Sequence, residues 1–386
     1  QRLSKYRLNQ GDIVFSRVGS VDRRALVQAQ EDGWLFSGRC LRVRPDPKKI
    51  DSTWLSYFFG MPSFKEYIRG IAVGATMPSL NTKILSDVPI YFPPLDKQKE
   101  IGEILVALDD KIALLRETNI TLEAIAQALF KSWFVDFDPV RAKAEGCESE
   151  GVPPEVAELF PSEFEDSEIG EIPKGWSIEP FGKLLGHAIG GDWGKDNADD
   201  EHTTAVAIVR GTDIPDIRVG NLDGVPRRFV SPKKLKSRRL QDGDLIIEVS
   251  GGSKTQATGR SLYCTDGLLD DFGMPVVPAS FCRLFRPADQ HIGILLAIHL
   301  SSIYAAGKMW NYQVQSTGLA NFQTTHFLES ELVVVPSEPI REAFFDCVRP
   351  LIERQQTADI RTTASLRDAL LPRLMSGQLN QVESDA

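Results

Sequence analysis

The densest group of chemically capable side chains in this sequence is basic. Residues 227–239 carry seven Lys or Arg side chains in thirteen positions and no acidic residue. Cations at that density neutralise phosphate oxygens, so the run predicts contacts with a nucleic-acid backbone. The side chains expected to make these contacts are Arg227, Arg228, Lys233 and Lys234. A solvated, flexible surface is the alternative use of the same run.

Polar loops with glycines follow two similar short strands. Residues 16–24 come after the Gly-Asp strand 11–16, and residues 250–260 come after the matching strand 243–248. Glycine lets a backbone approach its partner closely, and polar side chains can bond phosphates and base edges. Further polar loops lie at 37–39, 74–81 and 315–323. The predicted DNA contacts in these loops are Arg17, Ser20, Arg23, Arg24, Arg39, Thr76, Ser79, Asn81, Ser253, Lys254, Thr258, Arg260, Gln315, Asn321 and Gln323.

The motifs of the common catalytic sites are absent from the sequence. It contains no P-loop, His-Glu-x-x-His, Gly-x-Ser-x-Gly or Asn-Pro-Pro-aromatic box, and no Gly-x-Gly-x-x-Gly after a strand. The five histidines are dispersed, and the acidic stretch 196–202 lacks the turn glycine of a calcium loop. We therefore predict no catalytic residue and no metal site.

Cysteine usage and hydropathy indicate the compartment. Five scattered cysteines without a Cys-x-x-Cys pair are typical of a reducing cytoplasm. The longest mostly apolar stretch, 292–307, is shorter than the ~20 residues of a membrane span. A cytoplasmic protein is expected.

The net charge of −9 is distributed unevenly along the chain. Residues 1–94 have a net charge of +6, whereas residues 141–172 have a net charge of −8. Residues 173–336 are close to neutral, at −1, and contain the basic run. Since a phosphate backbone responds to local charge, the acidic total does not exclude a nucleic-acid partner.

Two long helices are predicted, over 95–134 and 338–376, because apolar residues recur there at alternating steps of three and four. This spacing indicates a coiled-coil seam, and we expect the helices to pair antiparallel. The alternative is that each helix packs on its own globular neighbour. The seam residues are Ile101, Leu108, Ile112, Leu115, Asn119, Leu122, Leu129, Leu351, Leu366 and Leu370. Short strands are predicted at 12–15, 88–92, 205–209, 244–249 and 332–335.

An internal repeat organises the chain. Gly-Asp-Ile-Val-Phe-Ser at 11–16 recurs as Gly-Asp-Leu-Ile-Ile-Glu at 243–248, and each copy continues through a strand and a proline into a long helix. The second copy has about 70 residues before its Gly-Asp strand and the first has ten, so a shortened first copy is expected.

The predicted fold class is therefore α+β, with two mixed α/β domains separated by an antiparallel pair of long helices. The expected segments are a first domain at 1–94, a central helix at 95–140, an acidic linker at 141–172, a second domain at 173–336 and a C-terminal helix at 337–386.

These features resemble a known family. The matching residues are the run 74–94, Leu-Asp-Lys-Gln-Lys-Glu-Ile at 95–101, Ala-Leu-Phe-Lys-Ser-Trp-Phe at 128–134 and Ile-Pro-Lys-Gly-Trp at 172–176. They resemble the DNA-specificity subunit of type I restriction–modification systems over nearly the whole chain. In its first domain and its second helix the sequence departs from the family pattern.

The resemblance implies a non-catalytic subunit that reads a bipartite double-stranded DNA site with two target-recognition domains. The paired helices would set the spacing and dock two modification subunits. Those partners would carry S-adenosylmethionine and methylate adenine. Restriction subunits, which use ATP and Mg²⁺ for translocation and cleavage, would join the same complex. This chain would bind no cofactor itself.

Two other functions remain to be weighed. A coiled-coil scaffold that binds only protein would explain the long helices but not the polar loops or the basic first segment. An autonomous nuclease or methyltransferase is disfavoured because its motifs are missing.

Overall fold

A computed structural model describes residues 3–74, 76–253, 255–316 and 319–377. The chain divides into two compact units. The first unit comprises Gln1–Leu114 and Thr362–Ala386, and the second comprises Leu115–Arg361. Of the predicted contact residues, Lys254 lies outside the described residues.

The first unit is built on a three-stranded antiparallel sheet of order β2-β1-β3. Its strands are β1 Ile13–Ser16, β2 Arg24–Leu26 and β3 Cys40–Val43. Its helices are α1 Ser52–Gly60, α2 Pro62–Ile71, α3 Thr82–Ser86 and the beginning of α4 Leu95–Phe134. Its core forms where the apolar face of β1 packs on α1 and α4, and it includes Phe15, Trp54 and Leu105.

The second unit contains several small sheets around a larger core. Its helices are α5 Asp138–Ala144, α6 Pro154–Ala157, α7 Ile214–Ile217, α8 Pro232–Arg238, α9 Asp266–Asp271, α10 Gln290–Ala305, α11 Thr324–Ser330 and α12 Glu338–Gln355. Its strands are β4 Phe164–Ser167, β5 Gly170–Pro173, β6 Ser177–Pro180, β7 Leu185–Gly190, β8 Thr204–Val209, β9 Arg227–Val230, β10 Leu245–Glu248, β11 Ser250–Gly251, β12 Ser261–Tyr263, β13 Val276–Pro278, β14 Cys282–Pro287, β15 Gln313–Ser316, β16 Leu319–Phe322 and β17 Leu332–Val335. The last helix of the chain is α13 Asp359–Met375, most of which belongs to the first unit.

The sequence repeat is a structural repeat. In the second unit, β10 lies between β12 and β14, as β1 lies between β2 and β3 in the first. The registers correspond: Ile13 faces Leu26 and Val43, while Leu245 faces Tyr263 and Phe285. The strand order in the second unit continues to β7, which the first unit lacks among its described residues.

An aspartate–arginine pair fixes the start of the central strand in each unit. In the first unit, Arg44 donates to both oxygens of Asp12 at 2.7 and 2.6 Å. In the second unit, Arg286 donates to both oxygens of Asp244, each at 2.7 Å. Burial acts to raise the pKa of Asp12, but the Arg44 guanidinium and the backbone N–H of Asn9 outweigh it, and the net pKa is lowered.

Four of the five predicted strands are confirmed, as β1, β8, β10 and β17. The prediction at 88–92 is wrong, because the structure assigns no strand there. In the second unit, β17 pairs antiparallel with β6, which precedes the Gly-Asp strand. The described part of the first unit has no strand before β1, so the segment 88–92 has no equivalent partner.

The helix predicted over 95–134 is confirmed as α4. The single helix predicted over 338–376 is wrong, because α12 ends at Gln355 and α13 begins at Asp359. The Gln356 side chain is buried, donating to Tyr263 O at 2.7 Å and accepting from Thr265 Oγ1 at 2.6 Å. The Thr357 hydroxyl donates to Arg354 O, a carbonyl that a continuing helix would use. The tertiary bonds of Gln356 and the local bond of Thr357 therefore coincide with the break between the two helices.

Within each unit, α4 pairs antiparallel with a C-terminal helix. In the second unit, Phe134 packs on Phe344 with ring centroids 4.8 Å apart. Further back along α4, Asn119 exchanges side-chain-to-carbonyl hydrogen bonds with Gln355 at 3.3 and 2.7 Å. In the first unit, Arg367 of α13 donates to Asp109 of α4 at 2.6 Å. The mixed α+β class is confirmed.

Burial varies along the predicted seam. Ile101 and Ile112 are buried, whereas Leu366 is 49% exposed and lies outside the packed face. The remaining seam residues are partly buried: Leu108, Leu115, Asn119, Leu122, Leu129, Leu351 and Leu370.

The acidic segment 141–172 differs from the expected surface linker, because it is folded against the second unit's core. It contains part of α5, all of α6 and the β4–β5 hairpin. Phe160 and Ile172 are buried in that core. Lys143 holds the segment by donating to Phe160 O at 2.6 Å and Glu158 O at 2.8 Å. Burial of its apolar side chains therefore determines how this segment folds, despite its net negative charge.

Glu331 is a fully buried carboxylate between α11 and β17. His299 Nε2 lies 2.8 Å from its Oε1, Lys308 Nζ lies 2.8 Å from its Oε2, and Tyr312 donates to it at 2.5 Å. Burial acts to raise the pKa of Glu331, but the bonds from His299, Lys308 and Tyr312 lower it to about 2.

Replacing Glu331 by Gln is expected to flatten the acid dependence of stability. The depressed pKa means that the carboxylate stabilises the fold fully above about pH 4.5, and that this contribution is lost as the pH falls towards 2. At pH 7 the variant should lose about 3 kcal/mol of unfolding free energy. Urea unfolding across a pH series measures both effects. The exposed neighbour Glu329 provides the matched control, Glu329→Gln. Equal losses in the two variants would contradict the assignment.

Candidate nucleic-acid interface

Three loops of the first unit converge at one end of β1. Leu80 N donates to Arg17 O at 2.9 Å, and Arg17 N donates to Arg39 O at 2.8 Å. Ser79 forms β-bridges to both Val18 and Val73. We call residues 17–24, 37–39, 73–74 and 76–81 the first loop cluster.

The second unit repeats this convergence at the end of β10. Phe322 N donates to Val249 O at 2.9 Å, and Val249 N donates to Phe281 O at 2.8 Å. There the bridges have lengthened into a small sheet of order β11-β16-β15. We call residues 249–253, 255–260, 279–281, 313–316 and 319–323 the second loop cluster. Each cluster brings together loops that are far apart in the sequence.

Most predicted contacts of the first loop cluster are exposed: Arg17, Ser20, Arg23, Arg39, Thr76 and Asn81. Ser79 is partly buried in the bridge. Arg24 instead donates to Ser56 O of α1, and its burial lowers its pKa. Gly60 leaves room for this guanidinium, since a Cβ there would collide with it. Arg24 therefore positions β2 against α1, whereas Arg17, Arg23 and Arg39 present their charge to solvent.

In the second loop cluster the predicted residues divide similarly. Arg260 donates to both oxygens of Glu248, which is 2% exposed, at 2.9 and 2.5 Å. The hydrogen bond to this carboxylate raises the pKa of Arg260. Thr258 is buried and donates to Gln313 Oε1 at 3.1 Å. The exposed predicted residues are Ser253, Gln315, Asn321 and Gln323.

The basic run forms β9 and α8, and some of its cations are used inside the protein. Arg228 lies 4.6 Å from the Trp193 ring centroid and pairs with Asp196. Lys234 Nζ donates to Asp192 at 2.9 Å, and Arg238 donates to Gly190 O at 2.9 Å. The run's other cations are exposed, and none forms an ion pair with a described residue: Arg227, Lys233, Lys236 and Arg239.

Comparison with known proteins reveals relatives along nearly the whole chain. Residues 1–124 match the family described as Type I restriction modification DNA specificity domain. The HindI specificity subunit of Haemophilus influenzae is 26% identical over 424 residues, covering 97% of this chain and 88% of that protein. The MjaIX specificity subunit of Methanocaldococcus jannaschii is 27% identical over 343 residues, covering 86% of this chain and 70% of its own. This chain resembles type I restriction-enzyme specificity subunits.

A solved structure supports the same fold. The S subunit of a type I restriction–modification system from M. genitalium aligns with a TM-score of 0.57 at 14% identity, covering 96% of this chain and 84% of that one. The specificity-subunit resemblance therefore extends from the sequence to the architecture.

Sequence reasoning missed a cleft beside the second loop cluster. It has a volume of about 690 Å³, and Trp193, Arg210, Glu248, Arg260 and Phe281 lie along it. Trp193 and Arg210 follow β7 and β8, for which the first unit has no described counterpart. The available signal in the sequence was a tryptophan flanked by glycines, Gly-Gly-Asp-Trp-Gly at 190–194.

The described residues contain no group of three or more His, Cys, Asp or Glu side chains suited to a metal ion. In the acidic stretch 196–202, Asp199 accepts from Lys195 at 2.6 Å and from the His202 backbone N–H at 2.6 Å. Its carboxylate is thus used within the loop. No helix in the described part of the chain has the length and apolar character to cross a membrane.

Removing the Arg260 guanidinium should destabilise the second unit. The Arg260→Ala variant leaves a buried Glu248 carboxylate without its partner, which costs about 3 kcal/mol. The matched control is Arg23→Ala. Arg23 O accepts from Ser16 N as Arg260 O accepts from Glu248 N, but its side chain is exposed. The control should change stability by less than about 0.5 kcal/mol. Urea unfolding with hydrogen exchange at β10 measures both. An Arg260→Ala variant with unchanged unfolding free energy would contradict the assigned ion pair.

Proposed function

We propose that this chain is the sequence-reading subunit of a type I restriction–modification complex. Each unit would present its loop cluster to one half of a bipartite double-stranded DNA site. The observation that carries the proposal is that both units have a three-loop cluster at the end of a central strand, and that an aspartate–arginine pair fixes the start of that strand in each. A protein-only scaffold gives no reason for this repetition.

Exposed charge supports a phosphate role for part of the first loop cluster. Arg17, Arg23 and Arg39 come from different loops and all are exposed. Phosphate contacts of this kind position a protein on the duplex without reading its sequence. In the second unit, the exposed cations of β9 and α8 would serve the same purpose.

The β15–β16 ribbon supports base reading. A two-stranded ribbon fits the major groove, and a Gln side chain can bond adenine N6 and N7 together. Gln315 is exposed on β15. Asn321, on the facing strand, accepts from Ser250 Oγ at 3.0 Å, which aligns its amide. These amides are our candidates for base contacts.

The helices support docking of partner subunits. Ile120 and Ile125 of α4 are 70% and 43% exposed, so this helix presents apolar side chains outside its packed face. We propose that two modification subunits bind this surface and that restriction subunits join them. In this proposal, S-adenosylmethionine, ATP and Mg²⁺ lie in those partners, and the chain itself is non-catalytic and cytoplasmic. The segment bounds 1–94, 95–140, 141–172, 173–336 and 337–386 remain part of the proposal.

Neutralising two cations of the first loop cluster should weaken the salt dependence of DNA binding. The test uses the chain purified with its co-purifying partners and a random-sequence duplex. The Arg17→Gln, Arg23→Gln variant should reduce the slope of log affinity against log salt by about two, since each phosphate contact contributes about 0.9.

The matched control is Lys48→Gln, Lys49→Gln, which removes the same charge from exposed positions outside the cluster. It should leave the slope nearly unchanged. No duplex binding by the complex, or no co-purifying methyltransferase, would defeat the proposed function. Equal slopes in both variants would defeat only the phosphate assignment.

Removing the Gln315 amide should relax specificity without changing non-specific binding. A target duplex is first selected from a random pool with the parent complex. Gln315→Ala should then bind this target roughly 5- to 100-fold more weakly, because a paired base contact is lost, and keep its affinity for random duplex. The exposed Gln30→Ala is the control. Parallel loss on both duplexes would mean that Gln315 does not read a base.

A further inference from the structure

The cleft beside the second loop cluster has the composition of a ligand site. Its volume of about 690 Å³ lies within the usual range of about 300–1,000 Å³ for small-molecule sites. It combines exposed aromatic rings with a few fixed polar groups, as such sites do. It adjoins the residues proposed to meet DNA, yet nothing in that proposal uses its interior.

Backbone hydrogen bonds fix the position of Trp193, the first aromatic residue of the cleft. Gly191 N donates to Cys282 O at 3.0 Å, and Asp192 N donates to Pro278 O at 2.9 Å. A Cβ on Gly191 would collide with the facing carbonyls, so glycine permits this close approach. Trp193 follows directly, 39% exposed, and Arg228 covers its ring. The indole is therefore rigidly presented.

Phe281 is the second aromatic group of the cleft. It is 62% exposed, although its carbonyl is fixed by Val249 N and Ser250 N. Its ring stacks on no other described aromatic ring. A phenyl group left in water beside a fixed backbone is ready to stack with a flat partner.

Polar groups in the cleft are oriented by the protein. Glu248 and Arg260 form a two-bond ion pair, which leaves further lone pairs and N–H groups for a ligand. Gly211 and Gly251 lie against the Glu248 carboxylate, and a Cβ on either would collide with it. Arg210 is held by Asp213 at 2.6 Å. The cleft thus offers both hydrogen-bond donors and acceptors next to aromatic faces.

We propose that this cleft binds a nucleobase, which stacks on Phe281 and Trp193 and is hydrogen-bonded at its edge by the Glu248–Arg260 pair. The inference rests on the proposed function for its source, a nucleotide turned out of the duplex at the second half-site. The shared chemistry is a planar heterocycle with donors and acceptors on one edge.

The described residues of the first unit do not reproduce the lining of this cleft, so the proposed site belongs to the second unit. By backbone position, Ser16 replaces Glu248 and Arg39 replaces Phe281. No described strand precedes β1 to supply a counterpart of Trp193. The first unit accordingly provides internal control positions.

The test has two arms and uses the full chain with its co-purifying partners. In the first arm, the four deoxynucleoside monophosphates and deoxyribose 5-phosphate are compared by saturation-transfer NMR. In the second, affinities are compared for a random-sequence duplex with one bulged nucleotide and for the same duplex with an abasic bulge. We expect saturation of base protons, no transfer to the sugar phosphate alone, and at least about five-fold tighter binding of the bulged base.

Variants tie both signals to the cleft. Phe281→Ala and Trp193→Ala should abolish the bulge preference, and Trp193→Phe should retain most of it. Phe92→Ala and Trp34→Ala, at exposed aromatic positions of the first unit, should leave it unchanged. Of the two cleft substitutions to alanine, Phe281→Ala should disturb folding least, because Phe281 is the more exposed of the two aromatic residues.

The outcomes are distinct. Nucleotide signals with no bulge preference would keep the nucleobase site and assign it to free nucleotides. Nucleotide signals in a complex that binds no duplex would defeat the proposed function and keep the site. Absence of both signals, or signals unchanged in Phe281→Ala, would overturn the inference even where duplex binding is intact.

Discussion

The buried carboxylate at the start of each central strand is the interaction on which the rest depends. Asp12 and Asp244 are each 1% exposed, and each accepts two bonds from an arginine, Arg44 directly after β3 and Arg286 near the end of β14. Each also accepts a backbone N–H from the turn before it, at 2.8 and 2.7 Å. One side chain thereby fixes the turn, the strand and the strand partner together. The aspartate–arginine pair thereby also positions the loops that converge beyond the strand.

On this common frame the two units differ at the far end of the strand. Ser16 ends β1 where Glu248 ends β10, and this difference decides the state of the following arginine. Without a carboxylate, Arg23 stays in solvent, whereas Arg260 is drawn into a buried pair. A single position thus converts a surface cation into part of a cleft. The same scaffold can therefore carry two recognition surfaces of different chemistry.

Local sequence patterns predicted most helices and strands correctly. The predictions that failed depended on contacts with residues far away in the sequence. The spacing of apolar residues was sufficient for α4 and for β17, because each pattern is complete within its own segment. It failed at 88–92 because a strand needs a partner, and at Gln356 because that amide bonds to Tyr263 and Thr265 far away in sequence. Loop positions were predictable from the repeat. Whether Arg24 or Arg260 pointed outward was not, since their buried partners are set by packing.

The charge distribution explains how an acidic chain could approach a polyanion. The segment 141–172 has a net charge of −8 and is folded against the core of the second unit. Its negative charge, which would repel phosphates, therefore has a fixed position on that unit. Exposed cations instead occupy the first loop cluster and the β9–α8 surface. In salt, repulsion between charges more than about 8–10 Å apart is largely screened, whereas a cation in direct contact with a phosphate still displaces a counterion. Under the proposed function, the exposed cations would attract a duplex and the acidic segment would repel it, each from a fixed position on its unit.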